Sequence, residues 1–170
     1  MTITGSYEKV ENRPAVRFER TFAHPPEAVW AAITDPGQLA QWFPSTIEFE
    51  TLEAGAPIRY EFPGHDLPAI KGEFLHVEPD RKLVMTWGDD ELSFELEPRE
   101  GGCRLRFTVL LDGAEKAARD AAGWEVRLDE LANVVAGDGT DAQTGTRDAW
   151  RGYYEEYRER GLPATAPLPE

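Results

Sequence analysis

The most constraining feature of this sequence is a change of hydrophobic period near residue 112. Between residues 47 and 111, apolar and polar residues alternate in short segments separated by turns such as Glu-Ala-Gly-Ala-Pro and Pro-Arg-Glu-Gly-Gly. Such alternation predicts half-buried strands, and the short connections predict antiparallel hairpins. Residues 114–136 instead place their apolar side chains within a narrow arc at the helical period, which is typical of a long amphipathic helix.

The segment before these hairpins adds a strand and two short helices. Residues 1–14 show no period and are predicted to be a flexible arm, whereas residues 15–22 alternate as a strand. Pro25-Pro26 favours the start of one helix, and Asp35-Pro36 favours the start of a second helix that runs to Pro44. Two short helices joined by a kink can cross the end of a sheet that one straight helix would overshoot.

These patterns together predict an α+β domain with a helix-grip fold over residues 15–137. A sheet with one apolar face needs a cover, and the long helix is the only element with the length to provide it. We therefore expect a curved antiparallel sheet of about seven strands to wrap round this helix. Residues 138–170 are predicted to form a linker and a terminal helix, from about residue 146 to 160, that Gly161 ends.

The charge balance of the chain excludes several classes of partner. The sequence has 18 basic and 32 acidic residues, a net charge of −14. Such a field repels nucleic acid and anionic membrane surfaces, and it is typical of solubility in an acidic bacterial-type proteome. No apolar run reaches the roughly 18 residues of a membrane span, and the first residues lack the apolar core of a signal peptide. We expect a cytoplasmic protein that binds neither nucleic acid nor membranes.

The reactive residue types do not form a recognisable catalytic or metal motif. Cys103 lies on an apolar strand face, which indicates a buried and inert thiol. None of His24, His65 and His76 has a second ligand two or four residues further on, so no metal site is predicted. No glycine-rich phosphate loop precedes a helix, and no serine occupies a nucleophile elbow. We predict no catalytic residue and no cofactor.

The aromatic residues give the strongest functional signal. Aromatic side chains from the strands, from the two short helices and from the long helix are predicted to point towards one interior, where most of them pack as core. A sheet that curves round a helix still leaves a wedge of space towards its open end, and apolar pockets with few polar groups are typical of small-molecule sites. The residues predicted to line this cavity are Trp42, Phe43, Tyr60, Phe62, Phe74, Trp87, Phe94, Trp124, Glu125 and Leu128.

Two polar features lie near this predicted cavity. Glu125 falls about 60° from the centre of the helix's apolar arc, which leaves two positions open to it, the cavity rim or solvent. At the rim, desolvation would raise its pKa and make it a candidate acid or base. His65 and Asp66 follow a predicted strand, and they either border the cavity mouth or form a plain turn.

Three stretches of the sequence resemble a known family. They read "FERTFAHPPEAVWAAITDPGQLAQWF", "GEFLHVEPDRKLVMTW" and "GWEVRLDELANVV". Together, over residues 15–136, they are similar to the activators of the heat-shock protein 90 ATPase, a family of the START-like (SRPBCC) superfamily. The resemblance implies the helix-grip fold and a cavity between sheet and long helix that holds a small apolar ligand.

Three functions remain open from the sequence. Binding of a small apolar ligand ranks first, and a co-chaperone or stress-response protein that contacts its partner through the acidic surface ranks second. A polyketide-cyclase-type enzyme with one acid/base residue ranks third, because no convergent pair of titratable groups is visible.

The terminal helix carries an aromatic stripe for which three interpretations are open. In order, the stripe docks on its own domain, forms a homodimer contact, or recruits another protein such as a chaperone. An isolated helix of about 15 residues is marginal in water, which favours docking, whereas Tyr and Trp dominate interface energetics. The stripe consists of Trp150, Tyr153, Tyr154 and Tyr157.

Overall fold

The protein consists of eight strands and four α-helices in the computed structural model, which describes residues 3–137 and 146–168. The strands are β1 (Gly5–Val10), β2 (Arg13–Phe22), β3 (Thr46–Glu48), β4 (Pro57–Glu61), β5 (Ile70–Glu78), β6 (Lys82–Trp87), β7 (Asp90–Arg99) and β8 (Gly102–Leu110). The helices are α1 (Pro26–Thr34), α2 (Pro36–Leu39), α3 (Ala117–Val135) and α4 (Thr146–Glu159), and a 3-10 turn at Ala114–Lys116 leads into α3. The predicted linker at 138–145 lies outside the described residues.

The strands form one antiparallel sheet in the order β1-β2-β8-β7-β6-β5-β4-β3. Neighbours in the sheet are neighbours in sequence except for β2 and β8, which pair from Ala15 opposite Leu110 to Phe22 opposite Cys103. The two short helices connect β2 to β3, which lies at the far edge of the sheet. This arrangement, with α3 on the apolar face, confirms the predicted α+β helix-grip fold.

The prediction of a flexible arm over residues 1–14 is wrong for Gly5–Val10, which form β1. Gly5 to Val10 pair with Phe18 to Arg13, so this segment is an edge strand of the sheet. The connecting residues Glu11 and Asn12 both have positive φ, 51° and 68°. A two-residue hairpin turn needs these angles to match the twist of its strands. No residue of β1 is fully buried, so the segment has no apolar face that a period could reveal.

The kinked helix pair is also shorter than predicted. The Asp35 carboxylate accepts a hydrogen bond from the backbone N–H of Gln38 at 3.1 Å and so caps the second helix, whose start at Asp35-Pro36 the sequence predicts. However, α2 ends at Leu39, and Trp42 lies in the turn that follows. Trp42 is nevertheless 1% exposed, because its indole N–H donates to the carbonyl of Ala32 at 2.8 Å and ties this turn back to α1.

The core lies between α3 and the apolar face of the sheet. The ring of Trp124 on α3 lies 5.2 Å from the ring of Phe107 on β8, and Trp42 lies 6.3 Å from Phe94 on β7. Leu128, one turn beyond Trp124, has no exposed surface. Among the described residues, no helix combines the length and the hydrophobicity that a membrane crossing requires.

The terminal helix α4 packs against α3 and thus docks on its own domain, the first of the three interpretations. Tyr153, Tyr154 and Tyr157 are buried, and the indole N–H of Trp150 donates to the carbonyl of Arg119 at 3.3 Å. A homodimer through the same stripe stays a prediction, and it would require α4 to leave this position.

Candidate ligand-binding pocket

A pocket of about 720 Å³ opens between α3 and the turn that joins β6 to β7. Trp87 lines it from the sheet, and Gly123 and Trp124 line it from α3. Trp150 and Leu168 line it from the C-terminal part of the chain. The volume falls within the range of about 300–1,000 Å³ that is common for small-molecule sites.

The floor of the pocket is formed by the outermost rings of the aromatic core. Trp87 is the last residue of β6, where the tight turn at Gly88 (φ 59°) reverses the chain into β7. Its ring lies 4.8 Å from the ring of Tyr60, 5.2 Å from Phe43 and 6.2 Å from Trp124. The aromatic cluster therefore holds both pocket tryptophans in place while each keeps some surface exposed.

Gly123 leaves an opening in the wall that α3 contributes. A Cβ atom at this position would meet only the indole nitrogen of Trp150, at the ordinary contact distance of 3.9 Å. Trp150 in turn stacks on Tyr154, with 4.9 Å between ring centroids and 9° between planes. A glycine inside a helix costs about 1 kcal/mol relative to alanine, and here it preserves space beside an indole ring.

A charged cluster borders the pocket where α3 begins. The ammonium group of Lys116 lies 2.7 Å from the carboxylate of Asp90, 2.5 Å from Asp112 and 3.9 Å from Asp120. Burial raises the pKa of Asp90, although the hydrogen bond from Lys116 opposes this rise. Desolvation lowers the pKa of Lys116, but its hydrogen bonds to Asp112 and Asp90 outweigh this effect and raise it.

The other two cations of the pocket are paired as well. The guanidinium of Arg119 lies 2.9 Å from the Asp120 carboxylate, and that of Arg127 lies 3.2 Å from Glu130. The positive charges of the pocket are thus compensated within the protein, and the aromatic surface remains the main feature available to a ligand.

The structure separates the predicted cavity residues into groups. Trp87 and Trp124 line the pocket, and Phe62 is half-buried, with its ring 6.0 Å from that of Trp87. Six further residues lie in the interior, namely Trp42, Phe43, Tyr60, Phe74, Phe94 and Leu128. All six are buried core residues and do not line the pocket.

Glu125, the remaining predicted residue, lies on a flank of α3 that faces β1 and β2. Its carboxylate has no exposed surface and does not line the pocket, so the structure places it neither in solvent nor at the pocket rim. It accepts hydrogen bonds from the Thr4 hydroxyl and from the Thr4 backbone N–H, the latter at 3.0 Å, and it pairs with Arg20 at 3.4 Å. Burial raises the pKa of Glu125, while the bonds from Thr4 and the charge of Arg20 oppose the rise.

The other polar candidates lie away from the pocket. His65 and Asp66 are exposed, and the backbone N–H of His65 donates to the carbonyl of Phe62 at 3.1 Å, as in a plain turn. Cys103 is buried, and desolvation raises the pKa of its thiol. Within residues 3–137 and 146–168, no three His, Cys, Asp or Glu side chains are grouped as a metal site requires.

Sequence reasoning missed Gly123 and the contribution of Trp150 to the pocket. A glycine in the middle of an amphipathic helix is a signal for open space or close packing, and this signal was available in the sequence. The aromatic stripe of α4 was recognised, but its first residue turns towards the pocket mouth, which periodicity alone does not reveal.

The sheet that grips α3 and the pocket at its open end define a helix-grip domain of the START-like class. Residues 23–136 match the family model described as "Activator of Hsp90 ATPase homolog 1-like protein". The chain belongs to this family, which confirms the resemblance seen in the sequence.

Solved structures show the same fold. EF2215, a conserved protein of unknown function from Enterococcus faecalis, is 22% identical, with a TM-score of 0.73 and 91% coverage of both chains. CalU16 from Micromonospora echinospora is 20% identical, with a TM-score of 0.71 over 91% of this chain and 94% of that one. DynU16, from the dynemicin biosynthetic locus, is 26% identical, with a TM-score of 0.64 over 75% of this chain and 49% of that one.

The coverage of the first two structures has a consequence for the C-terminal part of the chain. Residues 1–137 make up about four fifths of the sequence, so alignments over 91% of the chain extend past Gly137. Part of the segment beyond the family match therefore has a structural counterpart in both proteins. A comparison with the curated proteins finds no match.

Proposed function

We propose that this protein binds a small apolar ligand in the pocket between α3 and the β6–β7 turn. The observation that carries the proposal is the open space beside Gly123, bounded by the tryptophan side chains of β6 and α3. A ligand that removes roughly 200 Å² of apolar surface from water gains about 5 kcal/mol before the costs of association.

The charges around the pocket favour a neutral ligand over an ionic one. Lys116, Arg119 and Arg127 are already paired with carboxylates, so an anion would have to break an ion pair in order to bind a cation of the pocket. Planar aromatic compounds fit the available surface best, because they can stack on or pack edge-to-face against indole rings.

The experiment uses N-phenyl-1-naphthylamine, a neutral aromatic probe whose fluorescence rises in apolar sites and that accepts energy from tryptophan. We expect saturable binding to the wild type. Gly123→Leu places a branched side chain in the opening beside Trp150 and should weaken probe binding by about tenfold or more, since it removes volume that the ligand needs.

Gly123→Ala is the matched control for this variant. Its Cβ fits at an ordinary contact distance, so probe binding should change by less than about threefold while stability increases by about 0.4–1 kcal/mol. Circular dichroism and thermal unfolding establish that both variants fold. A wild type that does not bind the probe, or a folded Gly123→Leu variant that binds it as well as the wild type, would contradict the proposal. Native mass spectrometry of the purified protein tests whether an apolar molecule is already bound.

A second candidate function is that of a co-chaperone or stress-response partner in a bacterial cytoplasm. The family description favours it, because it names activation of the Hsp90 ATPase. The acidic surface that results from the net charge of −14 would then contact the chaperone. A pull-down with purified heat-shock protein 90 tests this candidate, and failure to recover the chaperone at low salt would count against it, because low salt strengthens charge contacts.

A further inference from the structure

One side of the pocket comes from residues that lie outside the family match. The match ends at residue 136, yet Trp150, Pro167 and Leu168 all line the pocket. We refer to α4 together with residues 160–168 as the C-terminal wall.

Backbone hydrogen bonds hold residues 160–168 against the start of α3. The N–H of Ala118 donates to the carbonyl of Pro163 at 2.9 Å, and the N–H of Ala166 donates to the carbonyl of Glu115 at 3.1 Å. The guanidinium of Arg119 adds a third bond, to the carbonyl of Pro167 at 3.1 Å. These contacts bring Leu168 to the pocket rim, where its side chain is 50% exposed.

Helix α4 is fixed by its tyrosines. The hydroxyl of Tyr153 donates to the Asp129 carboxylate at 2.6 Å, and the hydroxyl of Tyr157 accepts from the backbone N–H of Gly5 at 3.0 Å. Trp150 lies two turns before Tyr157, between the Tyr154 ring and the carbonyl of Arg119. Its indole is therefore held in place at the pocket mouth and is not an adaptable surface side chain.

We infer that the C-terminal wall sets the size of the ligand that the pocket accepts, with Trp150 as the specificity-determining residue. The inference rests on the proposed binding function. The indole of Trp150 faces Gly123. It therefore limits the free space that the missing side chain of Gly123 leaves beside α3. Leu168 limits the same space from the rim. Since this wall lies outside the family match, members of the family can differ in ligand size without a change in the sheet or in α3.

The test compares two neutral probes of different size, N-phenyl-1-naphthylamine and the larger Nile red, whose fused rings form one rigid plane. In Trp150→Ala, we expect the affinity for Nile red to rise by about fivefold, because the truncation adds volume. The affinity for the smaller probe should fall by about twofold to fivefold, because it loses apolar contact. Trp150→Phe should lie between the wild type and the alanine variant.

Leu168→Ala provides a second variant that does not depend on the stability of α4. It should change the ratio of the two affinities in the same direction and to a smaller extent, because Leu168 is half exposed. Arg151→Ala is the control, since Arg151 is an exposed residue of α4 that does not line the pocket, and both affinities should stay unchanged.

The outcomes separate this inference from the proposed function. If both probes shift by the same factor in Trp150→Ala and Leu168→Ala, the wall does not select ligands, although loss of binding in Gly123→Leu would still support the pocket. If Gly123→Leu leaves binding intact, the probes bind elsewhere and the binding proposal fails. If Trp150→Ala does not fold, the ratio in Leu168→Ala decides.

Discussion

Helix α3 is held in two different ways on two of its sides. Towards the sheet, Trp124 and Leu128 pack among aromatic and aliphatic side chains without hydrogen bonds between them. On a flank, Glu125 and Asp129 bind Arg20 of β2, at 3.4 Å and 2.8 Å. Apolar packing adds up over many contacts, whereas a buried polar network is stable only if each member has its partner. The two sides should therefore respond differently to substitution and to pH.

The largest loss of stability is expected in the apolar core between the helices and the sheet. Trp42→Ala removes a buried ring and the hydrogen bond to the carbonyl of Ala32, and it should lower the free energy of unfolding by about 3–5 kcal/mol. Urea denaturation measures this change. Leu67→Ala, at a residue that is 58% exposed, is the control and should stay within about 0.5 kcal/mol of the wild type. A loss below about 2 kcal/mol for Trp42→Ala would mean that the interior is less tightly packed than the structure shows.

A smaller loss is expected from the charged cluster at the start of α3. Lys116→Gln leaves the carboxylates of Asp90 and Asp112 without their shared cation, whereas Asp120 keeps Arg119, and we expect a cost on the order of 3 kcal/mol. Burial raises the pKa of Asp90, and its protonation removes one of the charges that the variant leaves unpaired, so the deficit should shrink as the pH falls through the pKa of Asp90. Denaturation at several pH values measures both effects.

The matched control for the charged cluster is Lys71→Gln, at an exposed position of β5. Its stability should follow that of the wild type within about 0.5 kcal/mol across the same pH range. A deficit in Lys116→Gln that does not change with pH would show that lost packing, and not the unpaired charges, causes the destabilisation.

The smallest effect, and the most specific one, concerns Glu125. Its pKa is higher in the folded protein than its ordinary value of 4.5, so the folded protein binds the proton more tightly than the unfolded chain does. The stability of the wild type therefore falls as the pH rises through the folded pKa. Glu125→Gln cannot titrate. The variant should therefore gain stability relative to the wild type between pH 4.5 and neutral pH, by about 1.4 kcal/mol for each unit of the rise in pKa.

Denaturation curves for Glu125→Gln and for Glu100→Gln, an exposed control, provide the measurement. The difference from the wild type should depend on pH for Glu125→Gln far more than for Glu100→Gln. If the two differences run parallel, the carboxylate of Glu125 carries no net penalty for its burial.

The same contrast explains how far the sequence predicts this structure. The strands β4, β7 and β8 and the helix α3 each bury one face, so their hydrophobic period predicts them correctly. The strand β1 buries no residue fully, and its turn at Glu11 and Asn12 lacks the glycine that marks many hairpins. The prediction consequently missed it.

The candidate site shows a similar division. Periodicity indicates the face on which Trp87, Trp124 and Phe94 lie, but it does not indicate how much space remains there once the rings pack. The first two residues line the pocket, and the third is buried below it. Glu125 finds its hydrogen-bond donor in Thr4, 121 positions away in the chain, and no local pattern encodes a partner that distant.

The bond between Gly5 and Tyr157 has a consequence for the order of folding. It joins positions 152 residues apart, so it closes only after nearly all of the intervening chain is in place. During synthesis, the hairpin of β1 and β2 leaves the ribosome long before α4 does. Until then, the backbone N–H of Gly5 lacks its contact with Tyr157. The hydroxyl of Tyr157 thus completes the contacts of β1 only after α4 has been synthesised.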